Sequence, residues 1–271
     1  MSLKNLMVHL DHGERTAARL EVAISLARQH QAKLVGVFGQ LAPSHQAGLA
    51  LPWPSAAYME AAAASKAAFE QATAGLPQVE WRDVNRGGEE ELLRRITDLA
   101  RHADLIIMGQ RDETAKSYVP ADLVEEVVIN SGRPVLIVPY VGTFSKVGQH
   151  PLIAWSNARE AARALNDALP LIEGCNGATV MSFSGTTEEG RRNCDEVIRN
   201  LATHGIKAGS EIMLVNEALG IMDMLLNRAS DLGSDLLIMG AQGFIGLPFL
   251  SRGAGTRYIL RHMTLPVLMS N

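Results

Sequence analysis

The 271-residue chain repeats itself, and this repetition constrains its fold more than any other feature. Residues 103–109, ADLIIMG, reappear as 234–240, SDLLIMG, and a proline-led apolar run follows each copy, at 134–138 and at 266–269. Each half also opens on a short apolar run that an alanine-rich stretch follows. Three matches in the same order and at similar spacing indicate a tandem duplication.

The length supports two domains, because 271 residues exceed the common size of one. We predict a first domain over 1–143, a second over 148–271 and a linker near 140–150. The composition is that of a globular protein, with 47% hydrophobic, 20% charged and only 5% aromatic residues. We therefore expect a core of Ala, Val, Ile, Leu and Met.

The charge balance argues against several classes of partner. A net charge of −4 and a pI near 6.1 create no field that attracts nucleic acid or an anionic membrane. No apolar run approaches the length of a membrane helix. Cys175 and Cys194 lack CxxC spacing, which fits a reducing compartment. We expect a cytoplasmic protein that binds neither nucleic acid nor membranes.

Within each half, short apolar strands alternate with helical patterns. In the first half the periodicity predicts strands at 3–11, 33–38, 79–85, 104–108 and 134–138, and helices at 14–31, within 55–75, at 88–102 and at 118–131. This alternation predicts parallel strands joined by right-handed crossovers. The expected fold class is α/β, with two tandem five-stranded, doubly wound parallel domains.

A glycine-rich segment follows the fourth strand of the second half. It contains Gly240, Gly243, Gly246, Gly253 and Gly255. In open parallel sheets, ligands bind beyond the carboxyl ends of the strands, where the strand order reverses. Glycines permit positive φ, and the helix that follows offers free N–H groups, so the segment predicts a cradle for an anion such as phosphate. Thr256 would add a hydroxyl donor or a helix N-cap, and Arg252 or Arg257 would add charge.

The segment matches neither of the common phosphate loops. The chain has no GxxxxGK[ST], and residues 253–255 lack the third glycine of GxGxxG and do not follow a first strand. The alternative interpretation is a structural connection that packs its apolar residues, such as Phe244 and Phe249, at an interface. Trp155 likewise either stacks on a base or fills the end of its strand.

The spacing of the glycines resembles that of the universal stress protein family, in its tandem form. Nucleotide-binding members carry Gly-x2-Gly-x9-Gly followed by Ser or Thr after the fourth strand. Gly240, Gly243 and Gly253 meet this spacing, whereas Ala254 departs from it. The resemblance spans the whole chain. It implies Rossmann-like domains of the adenine nucleotide α-hydrolase type, whose last strands pair antiparallel as an internal pseudo-dimer.

The two halves differ at the positions that the resemblance makes functional. The family's aspartate at the end of the first strand meets adenosine; the first half has Asp11 there and the second has Ser156. The first half carries Asp112 and Glu113 where the glycines belong, and these acids would repel phosphate. We therefore expect one ATP site, with or without Mg²⁺, in the second half. The predicted contacts are Ala154, Trp155, Ser156, Met239, Gly240, Gln242, Gly243, Arg252, Gly253, Ala254, Gly255 and Thr256.

The sequence offers little support for catalysis. It has no G-x-S-x-G elbow, and residues 240–256 contain no Asp, Glu or Lys, so any ATP hydrolysis is expected to be slow. Three functions stay open. The chain binds ATP and reports stress or energy status to a protein partner, it is a scaffold that binds no nucleotide, or it is a weak ATPase. A monomeric pseudo-dimer and a homodimer both fit.

Three further polar residues receive structural interpretations. Asp104 and Asp235 recur at the start of the fourth strand of each half, and we expect them to cap the preceding turn. His9 lies near Asp11 and is expected to face solvent.

Overall fold

The chain folds into two compact units of alternating strands and helices. The structure, a computed structural model, describes residues 3–41, 54–84, 88–214, 220–241 and 253–271. The first unit ends at Arg133, and the second unit is Pro134–Asn271. The domain limits given above stay a prediction.

In the described part of the first unit, four parallel strands alternate with four helices. They are β1 (Asn5–Leu10), α1 (Thr16–His30), β2 (Lys33–Phe38), α2 (Ala56–Thr73), β3 (Val79–Asp83), α3 (Glu89–Ala100), β4 (Leu105–Gly109) and α4 (Leu123–Asn130). The strand order is β3-β2-β1-β4, so it reverses between β1 and β4. Helix α4 begins later than the predicted residue 118, because Pro120 disfavours helical geometry at the residue before it.

The described part of the second unit repeats this arrangement and adds two strands at one edge. Its elements are β5 (Val135–Val138), β6 (Pro151–Trp155), α5 (Arg159–Ile172), β7 (Ala178–Ser184), α6 (Thr187–Thr203), β8 (Ala208–Leu214), α7 (Ile221–Asp231), β9 (Leu236–Gly240), α8 (Ala254–His262) and β10 (Val267–Ser270). The order is β5-β10-β9-β6-β7-β8. All pairs are parallel except that of β5 with β10, which is antiparallel. The antiparallel pairing of the two final strands is thus confirmed.

The same strand register in both units identifies equivalent residues. The matching pairs are Leu6 with Leu105 in the first unit and Pro151 with Leu236 in the second. Gly109 and Gly240 therefore end equivalent strands, and Ser156 stands at the position of Asp11.

Small apolar side chains let the helices pack closely on the sheets. Strands β5 and β10 are buried along their whole length. Helix α5 places Ala161, Ala164 and Ala168 on its buried face at helical spacing. Because alanine adds little volume, the helix backbone can lie near the strands, which fits the low aromatic content.

An aspartate in each unit ties the amino end of one strand to its neighbour. The carboxylate of Asp104 accepts hydrogen bonds from the backbone N–H groups of residues 4–5, at 2.7 and 2.9 Å. Asp235 accepts equivalent bonds from residues 149–150, at 2.7 and 2.8 Å. The expectation that these residues cap the preceding turn is wrong: their partners lie some 85 to 100 positions away in the chain.

Candidate functional site

The candidate ligand edge of each unit lies where the strand order reverses. In the first unit this is the carboxyl end of β1 and β4, and in the second unit it is the carboxyl end of β6 and β9. Parallel strands end at a common edge, so residues far apart in the chain meet there.

In the second unit, the edge brings several predicted residues together. Ala154 of β6 lies opposite Met239 of β9, and Trp155 and Ser156 follow at the end of β6. Trp155 is half-buried, and its Nε1 is shielded from solvent with no hydrogen-bond partner among the described residues. A buried N–H without an acceptor is costly, so this atom is suited to meet an acceptor from a ligand.

A second unpartnered polar atom lies beside the first glycine of the segment. Ser270 ends β10, is 1% exposed and lies opposite Gly240 in the sheet register. Its Oγ has no hydrogen-bond partner in the described part of the chain. Polar groups without partners thus occur on two strands at this edge.

The glycine segment ends in a left-handed turn at the start of α8. Gly253 has φ 83° and is the residue before the helix, which has no side-chain cap. Ala254, Gly255 and Thr256 form the first helical turn, where backbone N–H groups lack intrahelical acceptors. Thr256 is 2% exposed and lies inside the helix, so the expected N-cap role belongs to Gly253 instead.

Gln242, Gly243 and Arg252 lie outside the described residues, as do the apolar residues of the alternative interpretation.

An acidic residue that the sequence analysis did not select lies beside Gly240. A Cβ on Gly240 would be 2.6 Å from the carbonyl carbon of Glu160 and 2.8 Å from its Cβ, in the first turn of α5. The Glu160 side chain is 15% exposed, and its Oε1 pairs with the Arg159 Nε at 2.8 Å. Because acids commonly occur in a first helical turn, the sequence carries no signal that separates Glu160 from an ordinary helix start.

In the first unit, the equivalent edge is occupied by an ion pair. The Arg19 Nη2 donates to the Asp11 Oδ2 at 2.8 Å, and the Asp11 Oδ1 accepts from the Thr16 hydroxyl at 2.8 Å and from the Gly13 N–H at 2.6 Å. Burial acts to raise the pKa of Asp11, but the charges of Arg19 and His9 and the hydrogen bonds outweigh it. They hold the Asp11 pKa well below its usual range, so this carboxylate stays ionised.

His9 lies in the core of the first unit rather than in solvent. It is 2% exposed, and its Nε2–H donates to the Gly39 carbonyl at 2.8 Å. Burial, and then the nearby charge of Arg19, lower its pKa to about 4. The expectation of a solvent-facing histidine is therefore wrong, and His9 is neutral at pH 7.

The loop that follows β4 carries acidic residues, as the sequence shows. The Asp112 carboxylate accepts bonds from the Thr114 N–H at 2.8 Å and from its hydroxyl at 2.6 Å. These bonds lower the Asp112 pKa, so the loop presents a negative charge, with no glycine between Gly109 and Gly132.

The described residues contain neither a preformed metal site nor a membrane span. No three His, Cys, Asp or Glu side chains among them are grouped to hold an ion. None of their helices combines the length and the apolar character needed to cross a bilayer.

Comparison with known proteins agrees with this geometry. Residues 2–139 match the model of the universal stress protein family. The chain is 29% identical over 188 residues to Universal stress protein Slr1230 of Synechocystis sp.; the match covers 65% of this chain and 61% of that protein's own length.

Solved structures share the fold along the whole chain. A universal stress protein from Archaeoglobus fulgidus is similar with a TM-score of 0.77 at 17% identity, covering 100% of this chain and 97% of that one. A putative universal stress protein from Pseudomonas aeruginosa has a TM-score of 0.63 at 17% identity, covering 99% and 93%. With the family match over half of the sequence and the repeated parallel sheet, the chain belongs to the universal stress protein family.

Proposed function

We propose that the second unit binds one adenine nucleotide, ATP, at the carboxyl edge of β6 and β9. The observation that carries this proposal is the left-handed Gly253 before the first turn of α8, which has no side-chain cap, at the end of the glycine-rich segment that follows β9. A helix N-terminus with free N–H groups favours phosphate through hydrogen bonds and the helix dipole.

The phosphates would contact the glycine segment and α8. In this proposal the phosphate oxygens would accept hydrogen bonds from the backbone of Gly240, Gly243 and the 253–255 turn, and Gln242, Arg252 and Thr256 would add polar contacts. Because phosphate carries several negative charges, donors of this kind contribute more than neutral pairs.

The nucleoside would lie over the end of β6. Ser156 offers a hydroxyl to the ribose, while Ala154 and Met239 supply apolar surface for the base. The unpartnered Nε1 of Trp155 would gain an acceptor from the ligand. This arrangement uses a neutral residue at the position where the first unit has Asp11.

Any Mg²⁺ would arrive with the nucleotide. Glu160 lies near the first glycine and would repel bare phosphate, an effect that Arg159 or a cation on the phosphates offsets. The chain would then act as a regulatory protein that responds to nucleotide level, in the cytoplasm and through a protein partner. Hydrolysis would be slow at most, because residues 240–256 contain no Asp, Glu or Lys that could hold a metal ion or act as a base.

A matched pair of glycine variants tests the proposal. Gly253→Ala places an alanine at φ 83° in the proposed cradle, and Gly205→Ala places one at φ 74° in a turn of the same unit. The two variants should unfold at similarly lowered temperatures, since the left-handed conformation costs each about 1 kcal/mol. Only Gly253→Ala should lose affinity for ATP, by roughly tenfold or more, since it disturbs donors to a charged ligand.

The readout is the ATP-dependent rise in melting temperature, with mass spectrometry of small molecules released from the freshly purified protein. If the unaltered chain carries no adenine nucleotide and ATP leaves its melting temperature unchanged, the proposal is wrong. That result would favour the scaffold function, for which the acidic Glu160 beside the segment is the supporting observation.

A further inference from the structure

One of the first unit's own side chains lies between the ends of β1 and β4. Arg19 is 5% exposed and extends from α1 to the end of β1. Its Nε donates to the His9 carbonyl at 2.6 Å, and its Nη2 donates to Asp11 at 2.8 Å and to the Thr16 hydroxyl at 3.1 Å. The guanidinium is therefore held by three acceptors in a fixed orientation.

The same side chain covers the last residue of β4. A Cβ on Gly109 would lie 2.0 Å from the Arg19 Nη1 and 3.2 Å from its Cζ. The space between the ends of β1 and β4 is thus taken by the guanidinium, and only glycine leaves room for it.

The equivalent glycine of the second unit meets a different residue. The atoms nearest to a Cβ on Gly240 belong to the backbone and the Cβ of Glu160 and to the backbone of Ala161, at the start of α5. The first unit thus has a guanidinium against this glycine, whereas the second unit has the start of a helix there. At the position equivalent to Ser156, the first unit has Asp11, which Arg19 neutralises.

We propose that the Arg19 side chain takes the place of a ligand between the ends of β1 and β4, so that the first unit folds around its own guanidinium instead of a bound ligand. This proposal rests on the proposed function, because it explains why one unit alone would bind nucleotide. Because the Arg19 guanidinium is part of the chain, it competes with any ligand at a high effective concentration. A nucleotide that displaced it would leave Asp11 without its cation.

If the Arg19 guanidinium takes the place of a ligand, its removal should leave a space that accepts another planar cation. Arg19→Ala leaves a space bounded by the Asp11 carboxylate and the His9 carbonyl, both of which accept hydrogen bonds from a planar cation. Methylguanidinium at millimolar concentration should therefore raise the melting temperature of Arg19→Ala but not that of the unaltered chain. Methylammonium at the same ionic strength should raise it less, because it lacks the planar set of donors.

A double variant connects this effect to the ion pair. In Asp11→Asn/Arg19→Ala the carboxylate is gone, so methylguanidinium should have no effect. Equal effects in all three proteins, or none in Arg19→Ala, would overturn the proposal. If Arg19→Ala is unfolded on isolation, recovery of the folded state with methylguanidinium supports it and failure to recover contradicts it.

A second test uses the contact with Gly109. Gly109→Ala should lower the melting temperature clearly in the unaltered chain, where its Cβ meets the guanidinium, and much less in Arg19→Ala. Gly240→Ala is the matched control, since its Cβ meets the α5 backbone and its effect should not depend on Arg19. Equal effects of Gly109→Ala in both backgrounds would contradict the proposal.

These measurements need no nucleotide, so they separate the two claims. If ATP fails to bind the unaltered chain while methylguanidinium stabilises Arg19→Ala, the proposed function fails and the role of Arg19 stands. If two ATP molecules bind per chain, the first unit is open and the role of Arg19 is wrong.

Discussion

The two units have the same order and register of their central strands, and they differ in charge at the ligand edge. Each uses one aspartate, Asp104 or Asp235, to tie the amino end of its central strands. At the carboxyl end the first unit pairs Asp11 with Arg19, whereas the second has Ser156 and Glu160. The amino ends of the central strands thus make the same contacts in both units, whereas the residues at their carboxyl ends differ.

The difference also shows how a site can be closed without loss of its characteristic residue. Asp11 is kept, but each of its oxygens is already bonded within the unit. In the second unit, by contrast, polar atoms of Trp155 and Ser270 lack partners in the described part of the chain. The presence of a residue at a motif position is therefore less informative than whether its hydrogen bonds are already made.

The largest expected difference between the units comes from Arg19 and Glu160, the residues that lie against Gly109 and Gly240. Arg19→Ala should lower the free energy of unfolding by about 3 kcal/mol, because it leaves a mostly buried carboxylate without its cation. Glu160→Ala should cost less than about 1 kcal/mol, since its partner Arg159 is well exposed. Urea denaturation of both variants measures this, and equal losses would remove the contrast between the units.

The next largest expected effect is a pH dependence of the unfolding free energy, which comes from His9 in the first unit. The folded protein keeps His9 neutral down to about pH 4, whereas the unfolded chain protonates it from about pH 6.5. Between these values the unfolded state binds more protons, so stability should fall by about 2–3 kcal/mol as the pH is lowered from 6.5 to 4.

His9→Gln provides the control for this effect, since its amide can still donate a hydrogen bond but does not titrate. Its unfolding free energy should decline less over the same range. A parallel decline in both proteins would show that other groups are responsible.

The smallest expected effect is the loss of stability when Asp104 or Asp235 is removed, and it should be the same in both units. Asp104→Ala and Asp235→Ala each remove two hydrogen bonds to backbone N–H groups at a partly exposed site, and each should cost about 1–2 kcal/mol. Hydrogen exchange of the amides at residues 4–5 and 149–150 would localise the loss. A clear loss in one unit and none in the other would show that the repeated aspartates do not have the same role.

Local sequence patterns predicted the strands and helices. The roles of individual polar residues depended on contacts between distant parts of the chain, which these patterns do not contain. Apolar runs and helical spacing indicated β1, β2 and β4 because burial in a parallel sheet requires them. The roles of Asp104 and Arg19 depend on side chains reaching another strand, which no periodicity encodes. The candidate edge followed from the glycine spacing, but Glu160 reaches it only because α5 packs on Gly240.

The most direct measurement is a calorimetric titration of the chain with Mg²⁺-ATP, run on the unaltered protein, Arg19→Ala and Gly253→Ala. The account predicts one ATP per chain, unchanged affinity of that site in Arg19→Ala, and its loss in Gly253→Ala. Absence of binding to the unaltered chain, or binding that survives in Gly253→Ala and disappears in Arg19→Ala, would contradict it.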